Sequence, residues 1–212
     1  SVKLDTGRIL GVLKKSGVMA ALEEALLAKS LKDMSKAMDG SKRSKVMVDK
    51  YDGAQKAGTA KSHECTLYVV EGDSAKTMFT IGASVIGRTT NGVFPIRGKL
   101  LNVRGASPAK LKGNEEVKNL MKILGLRMDY KYDTVEEYRT LRYGKLCIMT
   151  DADVDGAHIN GLLVNFIANF WPNLIVKHGF ITRFVTPIIK AVKRGSPPMF
   201  FFNDAEYNAW AR

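Results

Sequence analysis

Apolar runs that lead directly into helix-like periodicity are the main pattern of this chain. Residues 146–149 form an apolar run of strand length, and from Ile159 to Phe170 the apolar residues recur every three or four positions, as on a helix. Residues 65–70 and the segment that begins near Ala75 repeat this order. Strands that alternate with helices predict an α/β fold, a Rossmann-like open parallel sheet with helices on both faces.

The remaining segments predict further helices and one extended region around this sheet. Residues 1–36 are helical in pattern, and a lysine-rich, loop-like linker follows at residues 36–61. Asn114 can cap a helix that Gly125 ends. The other predicted elements are a short helix at 134–141, extended chain at 180–192 and a last helix capped by Asn203 and Asp204.

Three aspartates, Asp151, Asp153 and Asp155, stand at alternate positions directly after the apolar run at residues 146–149. Residues two apart in an extended chain point to the same side, so the three carboxylates should gather at the carboxyl end of the strand. Such a cluster needs a cation beside it. With no cysteine or second histidine within residues 150–160, the oxygen ligands favour Mg²⁺, Mn²⁺ or Ca²⁺ over Zn²⁺.

Two other interpretations of this acidic stretch remain open. Its spacing also matches the first half of an EF-hand calcium loop, but the twelfth position, where that loop needs a glutamate, is Leu162. The second alternative is an acidic turn that binds no ligand.

Glu71 has the same topological position as Asp151, at the end of an apolar strand and the start of a helix. Open α/β sheets bind ligands at the carboxyl ends of their strands, so we expect Glu71 and the aspartates to converge on one site. Gly72 permits a tight turn there, and Ser74 is a candidate cap for the helix. The Gly-Asp-Ser sequence also suggests a serine nucleophile, but none of the three histidines has an evident role as its base.

Two cations, Arg97 and Lys99, flank Gly98 after another short apolar strand, and phosphate is the natural ligand for such a turn. The whole chain has 33 basic and 21 acidic residues, a formal net charge of +12 and an isoelectric point near 9.7. This excess indicates a polyanionic partner, most often nucleic acid. The alternative is a basic protein without such a partner.

The two cysteines, Cys65 and Cys147, lie in apolar strand-like runs and are predicted to be reduced core residues in a reducing compartment. No apolar run is long enough to span a bilayer, and the N-terminal residues do not resemble a signal peptide. Because the sequence starts without methionine, we expect a fragment of a longer protein.

Three motifs of this sequence resemble the Toprim domain of type IIA DNA topoisomerases, in the family's order and at suitable spacing. They are Glu71–Ala75, Pro95–Lys99 and Asp151–Gly156. Lys50–Ala54 resembles the family's lead-in, while Thr140–Lys145 and Phe184–Lys190 resemble the eukaryotic or viral form. In contrast, Ala152 and Val154 make the acidic motif more similar to that of bacterial gyrase.

The resemblance implies a Toprim fold and a division of the chain after residue 62. Residues 1–62 would be the end of a transducer-like helical region with its basic linker, and residues 63–212 the metal-binding domain. Glu71, Asp151 and Asp153 would hold catalytic Mg²⁺, with Mn²⁺ or Ca²⁺ as substitutes in binding. The further implied roles are Asp155 as a supporting ligand, Arg97 and Lys99 as catalytic contacts to DNA phosphate, Arg104 and Lys45 as further DNA contacts, and Gly72, Asp73 and Arg97 as a pocket for cleavage-trapping inhibitors.

The function implied by the resemblance is that of an ATP-dependent type II DNA topoisomerase, which cleaves and religates double-stranded DNA by reversible transesterification. The nucleophilic tyrosine, on a winged-helix domain, and the ATPase would lie outside this chain. The whole enzyme would be an intracellular homodimer without membrane association, nuclear if it is eukaryotic. Two other classes stay open: a stand-alone Toprim nuclease or primase, and a non-catalytic nucleic-acid scaffold.

Overall fold

The computed structural model describes residues 16–40, 46–193 and 195–212, and its centre is a four-stranded sheet. The strands are β1 (Thr66–Glu71), β2 (Asn91–Ile96), β3 (Lys145–Met149) and β4 (Ile181–Arg183). Their order across the sheet is β2-β1-β3-β4, and every neighbouring pair is parallel. The predicted α/β fold with an open parallel sheet is therefore confirmed.

Eight α-helices are present within the described residues, together with one short antiparallel strand pair. The helices are α1 (Val18–Met38), α2 (Gly72–Ile86), α3 (Pro108–Gly113), α4 (Glu115–Leu124), α5 (Val135–Tyr138), α6 (Val154–Phe170), α7 (Pro172–Val176) and α8 (Asp204–Ala211). A 3-10 turn precedes β1 at Ser62–Glu64, and β5 (Ile189–Ala191) pairs with β6 (Met199–Phe201).

The two faces of the sheet pack into two separate cores. Leu67 and Val69 of β1 belong to the larger core, whereas the next residue, Val70, belongs to a smaller one. This split follows from the alternation of side chains along a strand. The smaller core also contains Phe79 and Ala83 of α2, so helices cover both faces and the strands are buried on both sides.

Several local predictions are confirmed by the structure. The Asn114 side chain accepts a hydrogen bond from the Val117 amide at 2.9 Å, and Gly125 ends α4 in the left-handed conformation. Asn203 caps α8 in the same way, accepting from the Glu206 amide at 2.8 Å. Both cysteines are buried free thiols.

The sequence pattern of helix α2 is confirmed only in part. Its spacing places Ala75, Met78, Phe79 and Gly82 on one face. Ala75 and Phe79 do pack in the smaller core, together with Ala83, whereas Met78 is 70% exposed. The helix begins at Gly72, which places Ser74 inside its first turn and not at the cap position. Ser16 is a candidate cap for the first helix from its place in the sequence, but Gly17 occupies the cap position of α1 and provides no side-chain hydrogen bond.

The segment before the sheet packs on the same core as the sheet itself. Met38, at the end of α1, and Ala54 are both buried in the larger core. The Asp39 carboxylate accepts from the Met128 amide at 2.8 Å, which ties the end of α1 to the loop after α4. The division after residue 62 stays a prediction, and residues 1–15 and 41–45 lie outside the described part.

None of the helices in the described part of the chain is long and apolar enough to cross a membrane.

Candidate functional site

The acidic stretch forms a tight turn between β3 and α6. Asp153 caps α6, since its carboxylate accepts from the Gly156 amide at 2.7 Å. The buried Thr150 hydroxyl donates to the Gly156 carbonyl at 3.1 Å and closes the turn. A Cβ at position 156 would lie 2.2 Å from the Asp151 carbonyl oxygen, so only glycine allows this approach.

The EF-hand alternative does not fit this geometry. A calcium loop of that type spans twelve residues before the exiting helix. Here α6 already begins at Val154, and Leu162, at the position of the missing glutamate, is 7% exposed inside the helix.

The structure brings Glu71 to the same sheet edge as the three aspartates. Val70 pairs with Met149, so the ends of β1 and β3 lie side by side. Burial raises the pKa of Glu71, and the carboxylates of Asp153, Asp151 and Asp155 raise it further in that order. The Glu71 Oε2 atom is buried and has no hydrogen-bond partner among the described residues.

The donor set at this edge fits a hard divalent cation, although the side chains are not arranged around one. Within the described ranges, no group of three histidine, cysteine or acidic side chains has the geometry to hold a metal ion. The Asp155 carboxylate instead contacts Lys99 Nζ at 2.8 Å, and Asp153 is engaged as the helix cap. Lys99 is a single cation beside four carboxylates, so the positive charge does not balance the negative charge. The buried Glu71 oxygen without a hydrogen-bond partner is therefore available to bind a metal ion.

The Lys99–Asp155 ion pair is exposed, so solvent screens it. The side chains are 53% and 63% exposed, and exposed pairs contribute little to stability. Their hydrogen bond raises the pKa of Lys99 and lowers the pKa of Asp155. Breaking the pair therefore costs little free energy, so Lys99 can release Asp155 to bind an anion and Asp155 can release Lys99 to bind a cation.

The turn after β2 presents Arg97 and Lys99 to solvent, and Gly98 between them has a φ of 68°. The Arg97 guanidinium donates to the Asp49 carboxylate at 2.8 Å, with side-chain exposures of 64% and 78%. The Arg97 amide donates a long hydrogen bond of 3.4 Å to Glu116. Two cations on one exposed turn, each held by a replaceable carboxylate, can accept phosphate.

The turn after β1 contains Gly72 with a φ of 76°, in the left-handed region that favours glycine. The next residue, Asp73, forms an ion pair with Lys50 of the lead-in. The Lys50 hydrogen bond lowers the pKa of Asp73. Asp73 and Arg97, two of the residues predicted to contact inhibitors, are both bound to the lead-in segment, through Lys50 and Asp49 respectively.

The two remaining predicted DNA contacts are Arg104 and Lys45. Arg104 is exposed, and its amide donates to Asn102 Oδ1 at 3.1 Å. Lys45 lies outside the described residues.

Sequence reasoning missed Asp49 and Glu116 and did not give Lys50 a role at the site. Lys50 stands in a recognised motif, but nothing in its position shows that it reaches Asp73. Glu116 lies in the first turn of α4, where its position suggests only a favourable charge for the helix dipole. In the structure one carboxylate oxygen accepts from the Arg97 amide, and the other is buried without a partner among the described residues. Burial raises the pKa of Glu116.

Comparison with known proteins shows the family. A protein-family model described as the Toprim domain matches residues 66–186. The chain belongs to the Toprim domain family. The matched range contains Glu71, Arg97, Lys99 and the acidic turn that begins at Asp151.

The relatives of this Toprim chain are named as eukaryotic DNA topoisomerases. It is 48% identical over 197 residues to DNA topoisomerase 2 of Arabidopsis thaliana, covering 92% of this chain and 13% of that protein. It is 45% identical over 197 residues to human DNA topoisomerase 2-beta, covering 92% of this chain and 12% of that protein. The chain thus spans about an eighth of the length of these relatives.

A solved structure agrees with the sequence relatives. The crystal structure of the Plasmodium falciparum topoisomerase II DNA-binding, cleavage and re-ligation domain matches with a TM-score of 0.72 and 49% identity. The match covers 79% of this chain and 23% of that one.

Proposed function

We propose that this Toprim domain supplies the metal-binding half of the DNA-cleavage site in an ATP-dependent type II DNA topoisomerase. The observation that supports this most directly is the state of the Glu71 carboxylate. Its buried Oε2 has no partner among the described residues, and three nearby aspartate carboxylates raise its pKa. A carboxylate in this state is unfavourable unless a cation joins it. The names of the relatives support the enzyme class.

Glu71, Asp151 and Asp153 would hold Mg²⁺, with Asp155 as a supporting ligand once it leaves Lys99. Mn²⁺ or Ca²⁺ would also bind to these oxygens. The chemistry that the ion supplies when bound is stabilisation of negative charge on the reacting phosphate and on the leaving 3′ oxygen.

Arg97 and Lys99 would bind DNA phosphates beside the break. Each would exchange its present carboxylate partner, Asp49 or Asp155, for a phosphate oxygen. Arg104 and Lys45 would contact the duplex further away, and the net charge of +12 favours the approach of DNA. Gly72, Asp73 and Arg97 would border the position of inhibitors that trap the cleaved state.

The nucleophile would come from another domain. All seven tyrosines of this chain are buried or half-buried. Tyr51 and Tyr143 bond to each other through their hydroxyls, and Tyr132 accepts from the Arg127 amide. The proposed partners are therefore a winged-helix domain with the catalytic tyrosine, the ATPase and transducer domains, double-stranded DNA and a second copy in a homodimer. The proposed location is intracellular, in the nucleus.

The test is single-turnover DNA cleavage by the complete enzyme at saturating enzyme and varied Mg²⁺. Glu71→Gln should slow cleavage on the order of a hundredfold or more, because a charge-stabilising group is lost, while DNA binding remains. Glu136→Gln is the control, since Glu136 is an exposed glutamate on α5. Equal cleavage rates for the two variants would refute the metal role of Glu71.

The isolated chain provides a second test. Incubated with supercoiled DNA and Mg²⁺, it should leave the DNA uncut because it lacks a nucleophile. Nicking by this chain alone would favour a stand-alone nuclease.

A further inference from the structure

Four consecutive residues at the start of the lead-in, Asp49–Asp52, contact four different parts of the domain, and we name them the brace. Its contacts are Asp49 with Arg97, Lys50 with Asp73, the Tyr51 hydroxyl with the Tyr143 hydroxyl, and the Asp52 backbone with Val93 of β2. The brace thus joins the turn after β1 to the turn after β2. The proposed chemistry gives no role to Lys50, Tyr51 or Asp52.

The brace is firmly anchored at its C-terminal end. The Asp52 amide donates to the Val93 carbonyl at 3.0 Å, and the Val93 amide returns a bond to the Asp52 carbonyl at 2.8 Å. The Asp52 carboxylate also accepts from Lys76 of α2 at 3.0 Å. Tyr51 fixes the centre, because its hydroxyl lies 2.6 Å from that of the fully buried Tyr143.

Lys50 has a backbone conformation that is unusual for a lysine. Its φ is 59°, and only one other non-glycine residue in the described ranges, Tyr132, has a positive φ. Such a conformation is unfavourable for a side chain with a Cβ, and it persists where the surroundings impose it. Here hydrogen bonds fix the next two residues, Tyr51 and Asp52, and the Lys50 side chain binds Asp73. Together these contacts impose the conformation.

We propose that Lys50 is a positioning residue for Glu71. By binding Asp73 it holds the turn at Gly72, whose left-handed backbone directly follows Glu71, and so fixes where the Glu71 carboxylate points. The inference rests on the proposed function, since Glu71 needs a fixed direction only as a metal ligand. Groups that orient a ligand are typically worth 10–100-fold in metal affinity.

A purely electrostatic role for Lys50 predicts the opposite sign. Removing a cation from the neighbourhood of four carboxylates would make the site more negative and strengthen Mg²⁺ binding. Removing a positioning contact weakens Mg²⁺ binding, because Glu71 spends less time in the required orientation. The direction of the change therefore separates the two roles.

The experiment measures the Mg²⁺ dissociation constant of the complete enzyme by calorimetry, without ATP or DNA, so activity is not needed. We expect Lys50→Met to weaken binding about tenfold, the lower end of the range for orienting groups. Lys50→Arg should restore most of the affinity. Lys50→Gly relieves the unusual φ while removing the side chain, so it gives the same answer if Lys50→Met folds poorly.

Two further variants complete the design. Asp73→Asn breaks the same pair from the other side, and the double variant with Lys50→Met should be no worse than either single change. Lys56→Met is the matched control, because Lys56 follows shortly after the lead-in and forms a half-exposed ion pair with Glu64 at 3.1 Å. It should leave Mg²⁺ binding unchanged.

The outcomes distinguish this inference from the proposed function. If Glu71→Gln abolishes the Mg²⁺ binding event while Lys50→Met leaves it unchanged or tightens it, the positioning role is wrong and the metal site stands. If Glu71→Gln has no effect on Mg²⁺ binding, the proposed metal site itself is wrong.

Discussion

The hydroxyl of Tyr143 should make a measurable contribution to stability, and Tyr143→Phe tests this with a single oxygen removed. The side chain is fully buried. Its hydroxyl accepts a hydrogen bond from the Ala54 amide at 3.0 Å and lies 2.6 Å from the Tyr51 hydroxyl. Both partners belong to the lead-in, so the hydroxyl is a direct link between that segment and the end of the loop before β3.

The size of the effect follows from what the substitution leaves behind. The buried Ala54 amide loses its acceptor, which costs about 1–3 kcal/mol. The Tyr51 hydroxyl is half-buried and can recruit water, so its lost bond costs about 0.5–1.5 kcal/mol. The free energy of unfolding should fall by roughly 1.5–4.5 kcal/mol. For a domain of this size, 1 kcal/mol shifts the melting temperature by about 2–4 °C, so we expect a decrease of roughly 3–18 °C.

Urea unfolding of the 212-residue chain, followed by circular dichroism, measures this change. Tyr207→Phe is the control, because Tyr207 is half-buried and its ring packs on Phe201 and Trp210. A loss below about 0.5 kcal/mol for Tyr143→Phe, the lower limit for a single hydrogen bond, would refute the reasoning. So would a loss equal to that of the control.

Two further predictions concern the phosphate-binding turn and its neighbour. In the complete enzyme, Lys99→Ala should lower the salt dependence of DNA binding by about one unit but slow single-turnover cleavage on the order of a hundredfold. The control for Lys99→Ala is Lys61→Ala, because Lys61 is also exposed. Equal effects of the two substitutions on the cleavage rate would show that Lys99 is only a surface charge. Burial raises the pKa of Glu116 in the folded chain above its ordinary 4.5. The unfolded chain therefore loses this proton more easily, and the folded chain loses stability as the pH rises from 4.5 through the raised pKa. Glu116→Gln should therefore stabilise the chain at pH 7 and lose this advantage by pH 4 in urea unfolding, and a difference independent of pH would contradict the explanation.

The sequence was sufficient to predict the fold and the meeting of the two acidic regions. Both follow from strand–helix order, because parallel strands bring their carboxyl ends to one edge. That argument needs no knowledge of the connections between β1 and β3. The helix caps at Asn114 and Asn203 were equally predictable, since a cap depends on residues three positions apart.

The contacts of the exposed charged residues could not be predicted. Lys99 meets Asp155, and Arg97 meets Asp49, only because segments distant in sequence approach one another in the fold. The inward face of α2 was only partly predictable for a related reason, since Phe79 packs on the sheet as expected but Met78 does not. Apolar residues surround that helix, and Met78 is as apolar as Phe79, so periodicity alone does not say which side meets the sheet.

The pairing of β1 with β3 also governs when the acidic cluster can come into existence. Thr66 lies beside Lys145, and everything from α2 to α5 is the loop that this pairing closes. Closing a long loop costs entropy before any contact is gained, which makes such pairings slow steps of folding. A nascent chain that has not yet released β3 from the ribosome has Glu71 but none of the three aspartates beside it. The repulsion between Glu71 and the three aspartates therefore arises only when the pairing of β1 with β3 can hold them together.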